Sequence, residues 1–256
     1  MTGRLLVGTS GFAYPAWSPR FYPPGLRSGE FLRFYGSQLD TVELNNTYYR
    51  QPRPEAVAAW LAATPDDFRF VVKAQRSGSG RFFGDPASGL DWLTGPYRAF
   101  GARLGAVLFR VPDSARRDDD KLRRFLGAWP ADLPLVVELR EPSWQADETI
   151  RALADHDAAL CITEMPEDDG PPVIRRTSER LYLRLRRHDY TTAELEAWLT
   201  RLRPFLDAGD DAFVFFRHDE IGRGAQLALG LRSLAGLNLP PATPPDRIPP
   251  GPRGAR

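Results

Sequence analysis

Short apolar runs alternate along the chain with longer stretches whose apolar positions recur at helical spacing. The runs cover residues 5–7, 41–44, 70–73, 106–110, 135–139, 159–163, 181–185 and 212–216. Each is too short for a helix, rich in Val, Leu, Ile and Phe, and bounded by polar or turn residues, which predicts strands. Between them, 30–39 carries Phe31, Phe34 and Tyr35 on one helical face. Residues 54–63 open on proline at a first-turn position and bury Val57, Trp60 and Leu61. Thr191 and Glu194 are spaced as a capping box ahead of Leu195, Trp198, Leu199 and Leu202. A last helix is predicted over 222–235. Eight β-then-α units in one chain of this length predict a (β/α)8 TIM-like barrel as a single domain over 1–238. A doubly wound sheet is the alternative, but Gly8-Thr9-Ser10-Gly11 lacks the spacing of a dinucleotide loop. Residues 239–256 are proline-rich and poor in apolar side chains, which predicts a disordered tail.

The barrel prediction locates the chemistry, because such folds place their sites where strands end and the following loops begin. Side chains two apart on a strand share a face. Glu43 is in phase with Asn45, Val71 with Lys73, Glu138 with Arg140, Tyr182 with Arg184 and Arg186, and Phe215 with Arg217. If these faces point inward, the mouth holds the carboxylates Glu43 and Glu138 and the cations Lys73, Arg140, Arg184, Arg186 and Arg217. That surplus of cations predicts a small anionic ligand, a phosphate or a carboxylate. A closed salt-bridge network inside the barrel is the alternative.

Composition singles out one member of this set. Of 34 Lys and Arg residues only Lys73 and Lys121 are lysine. Lys121 follows three aspartates at a predicted helix start, an ordinary solvated place. Lys73 ends an apolar strand, where an amine must be paired or must act. Its candidate roles are acid, electrophile or Schiff-base amine, with Glu43 or Glu138 as general base. The loop at Gln75-Arg76-Ser77-Gly78-Ser79-Gly80-Arg81 is expected to be a mobile lid.

Aromatic residues crowd the same end: Phe12, Tyr14, Trp17, Phe21 and Tyr22 after the first strand, Tyr48 and Tyr49 after the second, Trp144 after the fifth. They form either a satellite core under a long loop or a surface on which a base or sugar stacks. A non-catalytic nucleotide or nucleic-acid binder is therefore the rival to an enzyme. A metal-dependent nuclease rests on fold analogy alone, and a glycosidase would have to pair Glu43 with Glu138.

Other chemistry is poorly supported. His156, His188 and His218 show no metal-binding spacing, so no metal ligand is expected. His218-Asp219-Glu220 is the best metal or acid–base candidate among them, although its arginine neighbours would oppose a divalent cation. The sequence does not identify a cofactor. Net charge is +1, which argues against a bulk pull toward DNA or an anionic membrane. The lone Cys161 sits in an apolar run and reads as an inert core thiol. With no signal-like or membrane-spanning stretch at the N-terminus, the expectation is a soluble cytoplasmic protein.

Several segments together resemble the domain of unknown function 72, or YecE-like, family. They are Val7-Gly8-Thr9-Ser10-Gly11-Phe12, Phe21-Tyr22-Pro23, and above all Asp40-Thr41-Val42-Glu43-Leu44-Asn45-Asn46-Thr47-Tyr48-Tyr49-Arg50. Phe68-Arg69-Phe70-Val71-Val72-Lys73-Ala74, Leu108-Phe109-Arg110-Val111-Pro112 and Glu138-Leu139-Arg140-Glu141-Pro142-Ser143-Trp144 come next, in order. The resemblance implies a TIM-like barrel and supplies no reaction. Glu43, Asn45, Tyr48, Lys73, Glu138, Arg140 and Trp144 match its pattern. Arg186 and Arg187 stand where the family usually has His-Gly, Arg217-His218 where it has paired Asn, Glu141 in place of a His and Arg110 in place of a glutamine-like position. The second half of the site is thus richer in arginine, which implies a more anionic ligand or a lost ancestral activity.

Overall fold

In the computed structural model, which describes residues 3–237, eight parallel strands close into a barrel in sequence order. They are β1 (Leu5–Ser10), β2 (Thr41–Leu44), β3 (Arg69–Lys73), β4 (Leu104–Arg110), β5 (Leu135–Glu138), β6 (Ala159–Glu164), β7 (Arg180–Leu185) and β8 (Asp211–Phe216). The helices are α1 (Phe31–Gln38), α2 (Pro54–Ala62), α3 (Arg76–Gly84), α4 (Leu90–Thr94), α5 (Asp119–Ala128), α6 (Asp147–Ala154), α7 (Thr192–Asp207) and α8 (Arg223–Leu234). Among the described residues no helix is long and apolar enough to cross a membrane. The predicted tail, 239–256, lies outside the described residues.

Strands read as near-continuous apolar runs because both their faces are covered. Val42 and Leu44 point outward into the layer between strands and helices, with Phe70, Phe109, Phe125 and Leu183. Leu6, Val71, Leu108, Val136, Cys161, Tyr182, Phe213 and Phe215 fill the barrel interior. Tyr35 pins α1 to the sheet: its hydroxyl accepts from the Thr9 amide at 2.8 Å and donates to the Thr41 carbonyl at 3.0 Å. The Thr191–Glu194 capping box opens α7 as its spacing predicts.

Two connections depart from a regular repeat. The stretch between β6 and β7 holds no helix, because Pro166, Pro171 and Pro172 deny it backbone donors. After β3, the expected Ser/Gly lid is instead helix α3. Gln75 caps it, its side-chain oxygen accepting from the Gly78 amide at 3.0 Å. Gly78 and Ser79 are buried, and a Cβ on Gly78 would lie 2.7 Å from Leu93 Cδ1. Glycine there permits close helix packing rather than motion.

The seam between β1 and β2 depends on another close approach. A Cβ on Gly8 would run into the Thr41 carbonyl, which a rigid parallel ladder holds in place. Gly8→Ala is expected to lower stability by about 1–3 kcal/mol through overpacking. Gly80, exposed on α3 with open space around it, is the control. Gly80→Ala should raise stability by about 0.4–1 kcal/mol, as read by urea unfolding.

Candidate functional site

Strand alternation turns the predicted polar faces inward at the C-terminal end of the barrel. The register pairs Ser10 with Glu43, Lys73 with Leu108, Arg110 with Glu138, and Thr163 with Arg184. Beneath this ring the interior is apolar. Charges placed there lose water, so each needs a partner.

Arg184 supplies most of the partnering. Its Nη2 donates to Glu43 Oε1 at 2.9 Å and its Nη1 to Glu138 Oε1 at 2.8 Å. The Tyr182 hydroxyl, one layer below on the same face, donates to Glu43 Oε2 at 2.6 Å. Glu43 is 0% exposed and both of its oxygens are taken. Burial alone pushes its carboxyl up, but Arg184, Lys73, the Tyr182 bond and Arg186 together hold it below the ordinary carboxylate value. Burial opposes the charge on Arg184, yet Glu43 and Glu138 outweigh it and keep the guanidinium firmly protonated. Burial, then Glu43, holds the Tyr182 phenol well above its ordinary value.

This geometry corrects three expectations. Arg184 is not free to hold an anion, since both ends of its guanidinium are occupied. Glu43 anchors the network rather than waiting as a base. The geometry also argues against a glycosidase pair, because Arg184 bridges the two carboxylates that would have to flank the glycosidic bond. Glu138 differs from Glu43: its Oε2 is buried without a hydrogen-bond partner, and Arg110 Nε comes only to 3.9 Å.

Lys73 stands beside this network but outside it. It is 7% exposed, and no carboxylate lies within ion-pair distance of it among the described residues. Its ammonium sits over the Tyr48 ring, 4.6 Å from the centroid. Burial, then Arg184 and Arg110, lower its pKa against the opposing pull of Glu43 and Glu138. Thr47 Oγ1 donates to the Lys73 carbonyl at 2.8 Å and so fixes the strand end from which the amine projects.

Of the other predicted residues, Asn45, Tyr48, Arg186, Arg217 and His218 are half-buried on the segments leaving β2, β7 and β8. Two are not brought in. Arg140 lies past the end of β5 and is exposed. Trp144 is 1% exposed, donates its indole N–H to the Ala115 carbonyl at 2.7 Å and packs against Phe83, so it presents no surface to a ligand. Trp17, Phe21 and Tyr22 are likewise buried, and they belong to the main core between strands and helices rather than to a separate satellite.

Arg110, Tyr182 and Tyr14 are the contributors that sequence reasoning left without a role. Tyr14 stacks on His218, centroids 5.2 Å apart and planes 2° from parallel. Strand phase held the signal for the first two, since Arg110 and Tyr182 share inward faces with Leu108 and Arg184. The sequence gathers Tyr14 with the other aromatic residues at this end, but nothing in it pairs the ring with His218. Among buried side-chain atoms without a hydrogen-bond partner, Ser10 Oγ, Glu138 Oε2, Arg184 Nε, Arg186 Nη1 and His218 Nδ1 all lie at this end. Such a concentration is characteristic of a site rather than of a finished core. Clefts of about 460 Å³ near Trp129 and His156 and of about 600 Å³ near Arg53 and Trp60 lie elsewhere and enclose no such group. No three His, Cys, Asp or Glu side chains gather as a metal-ligand set among the described residues.

The model of the protein family of unknown function DUF72 matches residues 6–250. YunF of Bacillus subtilis, a UPF0759 protein, is 24% identical over 243 residues, covering 80% of this chain and 86% of its own length. YecE of Escherichia coli K12, also a UPF0759 protein, is 31% identical over 138 residues, 52% of this chain and 48% of that one. A crystal structure of a DUF72 family protein from Thermotoga maritima superposes with a TM-score of 0.76 at 25% identity, covering 91% of this chain and 99% of that one. One from Enterococcus faecalis gives 0.71 at 22%, covering 92% and 99%, which shows the shared fold. The chain belongs to the DUF72 family.

Removing Arg184 tests the network. Arg184→Met leaves two buried carboxylates without their cation and is expected to cost about 3–5 kcal/mol. The pH dependence should also change sign. With its pKa lowered, Glu43 stabilises the wild type above the unfolded carboxyl pKa, and this is lost as pH falls through the folded value. Without Arg184, burial raises the carboxyl pKa, so the variant loses stability as pH rises through the unfolded value toward it. Urea midpoints measured from acid to neutral pH read both effects.

Proposed function

We propose that this DUF72 protein is an enzyme that acts on a small phosphorylated or carboxylated substrate at the C-terminal mouth of the barrel. The observation that carries the reading is Lys73: a buried amine, unpaired, its pKa lowered, beside two carboxylates that belong to another cation. A structural lysine would be paired with one of them. A lowered pKa supplies the free amine that attacks a carbonyl. In that step the nitrogen adds to the carbonyl carbon, and loss of water leaves an imine. Glu138, whose Oε2 has no hydrogen-bond partner among the described residues, is the group we assign to take and return the proton. Arg186 and Arg217, which make no ion pair with a carboxylate among the described residues, hold the anionic end. Glu43, Arg184 and Tyr182 position the rest.

A nucleotide or nucleic-acid binder is the second reading. It is supported by Tyr49, 76% exposed at the rim and followed by the exposed Arg50. It predicts oligonucleotide affinity that falls steeply with salt. Salt-insensitive binding would argue against it.

Borohydride reduction in the presence of small 2-keto acids tests the amine. The expected result is a stable adduct on the peptide carrying Lys73, absent from Lys73→Met and from unfolded protein. Adducts spread over Lys121 and the N-terminus, or unchanged in Lys73→Met, would defeat the role.

A further inference from the structure

Two buried nitrogens at the mouth have no hydrogen-bond partner among the described residues, and both stand on the arginine-rich side of the site. Arg186 lies just past β7, its backbone N–H donating to the Glu164 carbonyl at 3.0 Å. Its Nη1 is buried without a partner. His218 lies just past β8, and its Nδ1 is buried without a partner too. The imidazole is held in place from several sides. Gly11, with φ of 93°, makes the turn that brings Tyr14 back, and a Cβ there would lie 2.6 Å from the Tyr14 hydroxyl oxygen. That hydroxyl donates to the Ser10 carbonyl at 3.3 Å, and the ring stacks on His218. Trp17 packs on Tyr14 at 4.9 Å and donates its indole N–H to the Asp219 carbonyl at 2.8 Å. Asp219 in turn accepts the Arg223 amide at 3.0 Å and the Gly224 amide at 2.6 Å, which ties the His218 segment to the start of α8.

The charge balance defines the ligand. Arg184 offsets one of the two glutamate charges, and Arg110 is paired with Asp113. The Asp219 carboxylate is taken up by the Ile221, Arg223 and Gly224 amides leading into α8. Lys73, Arg186 and Arg217 then outweigh the remaining glutamate by two positive charges, counting the imidazole as neutral. A monocarboxylate would leave one of these unbalanced, whereas a dianion matches them. Resting on the reading of the mouth as a substrate site, we infer that the group taken there is a tetrahedral dianion, a phosphate monoester, held between the Arg186 guanidinium and His218, and that its binding places a proton on His218.

The proton is a consequence of the ring's surroundings. Facing it are Arg186 from β7, Arg217 on its own segment, Glu43 from β2, the neighbouring Asp219, and the uncharged Tyr14 from the first loop. Burial, then Arg186 and Arg217, lower its pKa, with Glu43 and Asp219 opposing. A dianion beside Arg186 reverses that field and raises the imidazole pKa. Affinity is then full below the free imidazole's pKa and falls as pH rises through the bound one.

Sulfate is the cleanest probe, because it keeps both charges throughout the range in which histidine titrates. Calorimetric titration of the full chain at constant ionic strength, from about pH 5 to about pH 8, reads the effect. Affinity should fall about tenfold for each unit by which the ion raises the imidazole pKa. Buffers of different ionisation enthalpy should report proton uptake. His218→Asn should flatten the profile and weaken binding at acid pH, with His218→Gln as the alternative if the first variant fails to fold. Arg186→Met should remove binding at every pH. A flat wild-type profile, a pH dependence that survives both His218 variants, or sulfate binding unchanged in Arg186→Met would each overturn the inference. Absence of sulfate binding alongside an intact keto-acid adduct on Lys73 would overturn it while leaving the amine's role standing. Histidine-dependent sulfate binding without the adduct would do the reverse.

Discussion

One guanidinium decides what the rest of the barrel mouth can be. Arg184 reaches from β7 to Glu43 on β2 and Glu138 on β5, joining three strands from different parts of the ring. Burying two carboxylates over an apolar interior would be prohibitive without it. Because both are held by the same cation, neither forms an ion pair with Lys73, Arg186 or Arg217. The unsatisfied charge of the mouth is thus a product of its most satisfied interaction. Tyr182 completes the arrangement from below by closing the last acceptor of Glu43.

Around that centre the support is asymmetric. On the side of β2 and β3 the partners are short-range: Thr47 holds the strand end and Tyr48 covers the amine. On the side of β7 and β8 a whole loop from β1 is recruited. Tyr22 stacks on Phe31 at 4.2 Å, and Trp17, Phe34 and Tyr35 pack edge to face on the neighbouring Phe21. Aromatic pairs of this kind contribute about 0.5–1.5 kcal/mol each beyond the area they bury. Their combined effect is to make a rigid base for Tyr14 and, through it, for His218. The aromatic crowd that reads as a possible binding rim is mostly foundation.

Much of this is legible in the sequence, and the boundary is physical. Strand positions and inward faces derive from local alternation, so Glu43, Lys73, Glu138 and Arg184 can be placed at one end of a barrel from the chain alone. Who pairs with whom cannot. The Arg184 bonds join residues 46 and 141 apart in sequence, and three-dimensional distance across a closed barrel leaves no periodic trace. Arg140 is misplaced when strand phase is carried beyond the strand, since β5 ends at Glu138, and Trp144, grouped with the mouth as an aromatic residue after that strand, lies in a turn that buries it. The α3 segment misleads for a different reason. Glycine and serine suit both a loose loop and a tight helix contact, and only Leu93 of α4, across the gap from Gly78, decides which.

The bond from Trp17 to Asp219 has a consequence for the chain as it is made. It spans 202 residues, and the pairing of β1 with β8 that frames it runs from Leu5–Ala212 to Thr9–Phe216. Until the ribosome has released the last strand, β1 has only β2 beside it and the indole has no acceptor. Thr47 and Tyr48, which support Lys73, come from the first half of the chain, but Arg184 arrives only with β7 and the histidine side only with β8. The complete mouth is therefore a mark of a finished barrel.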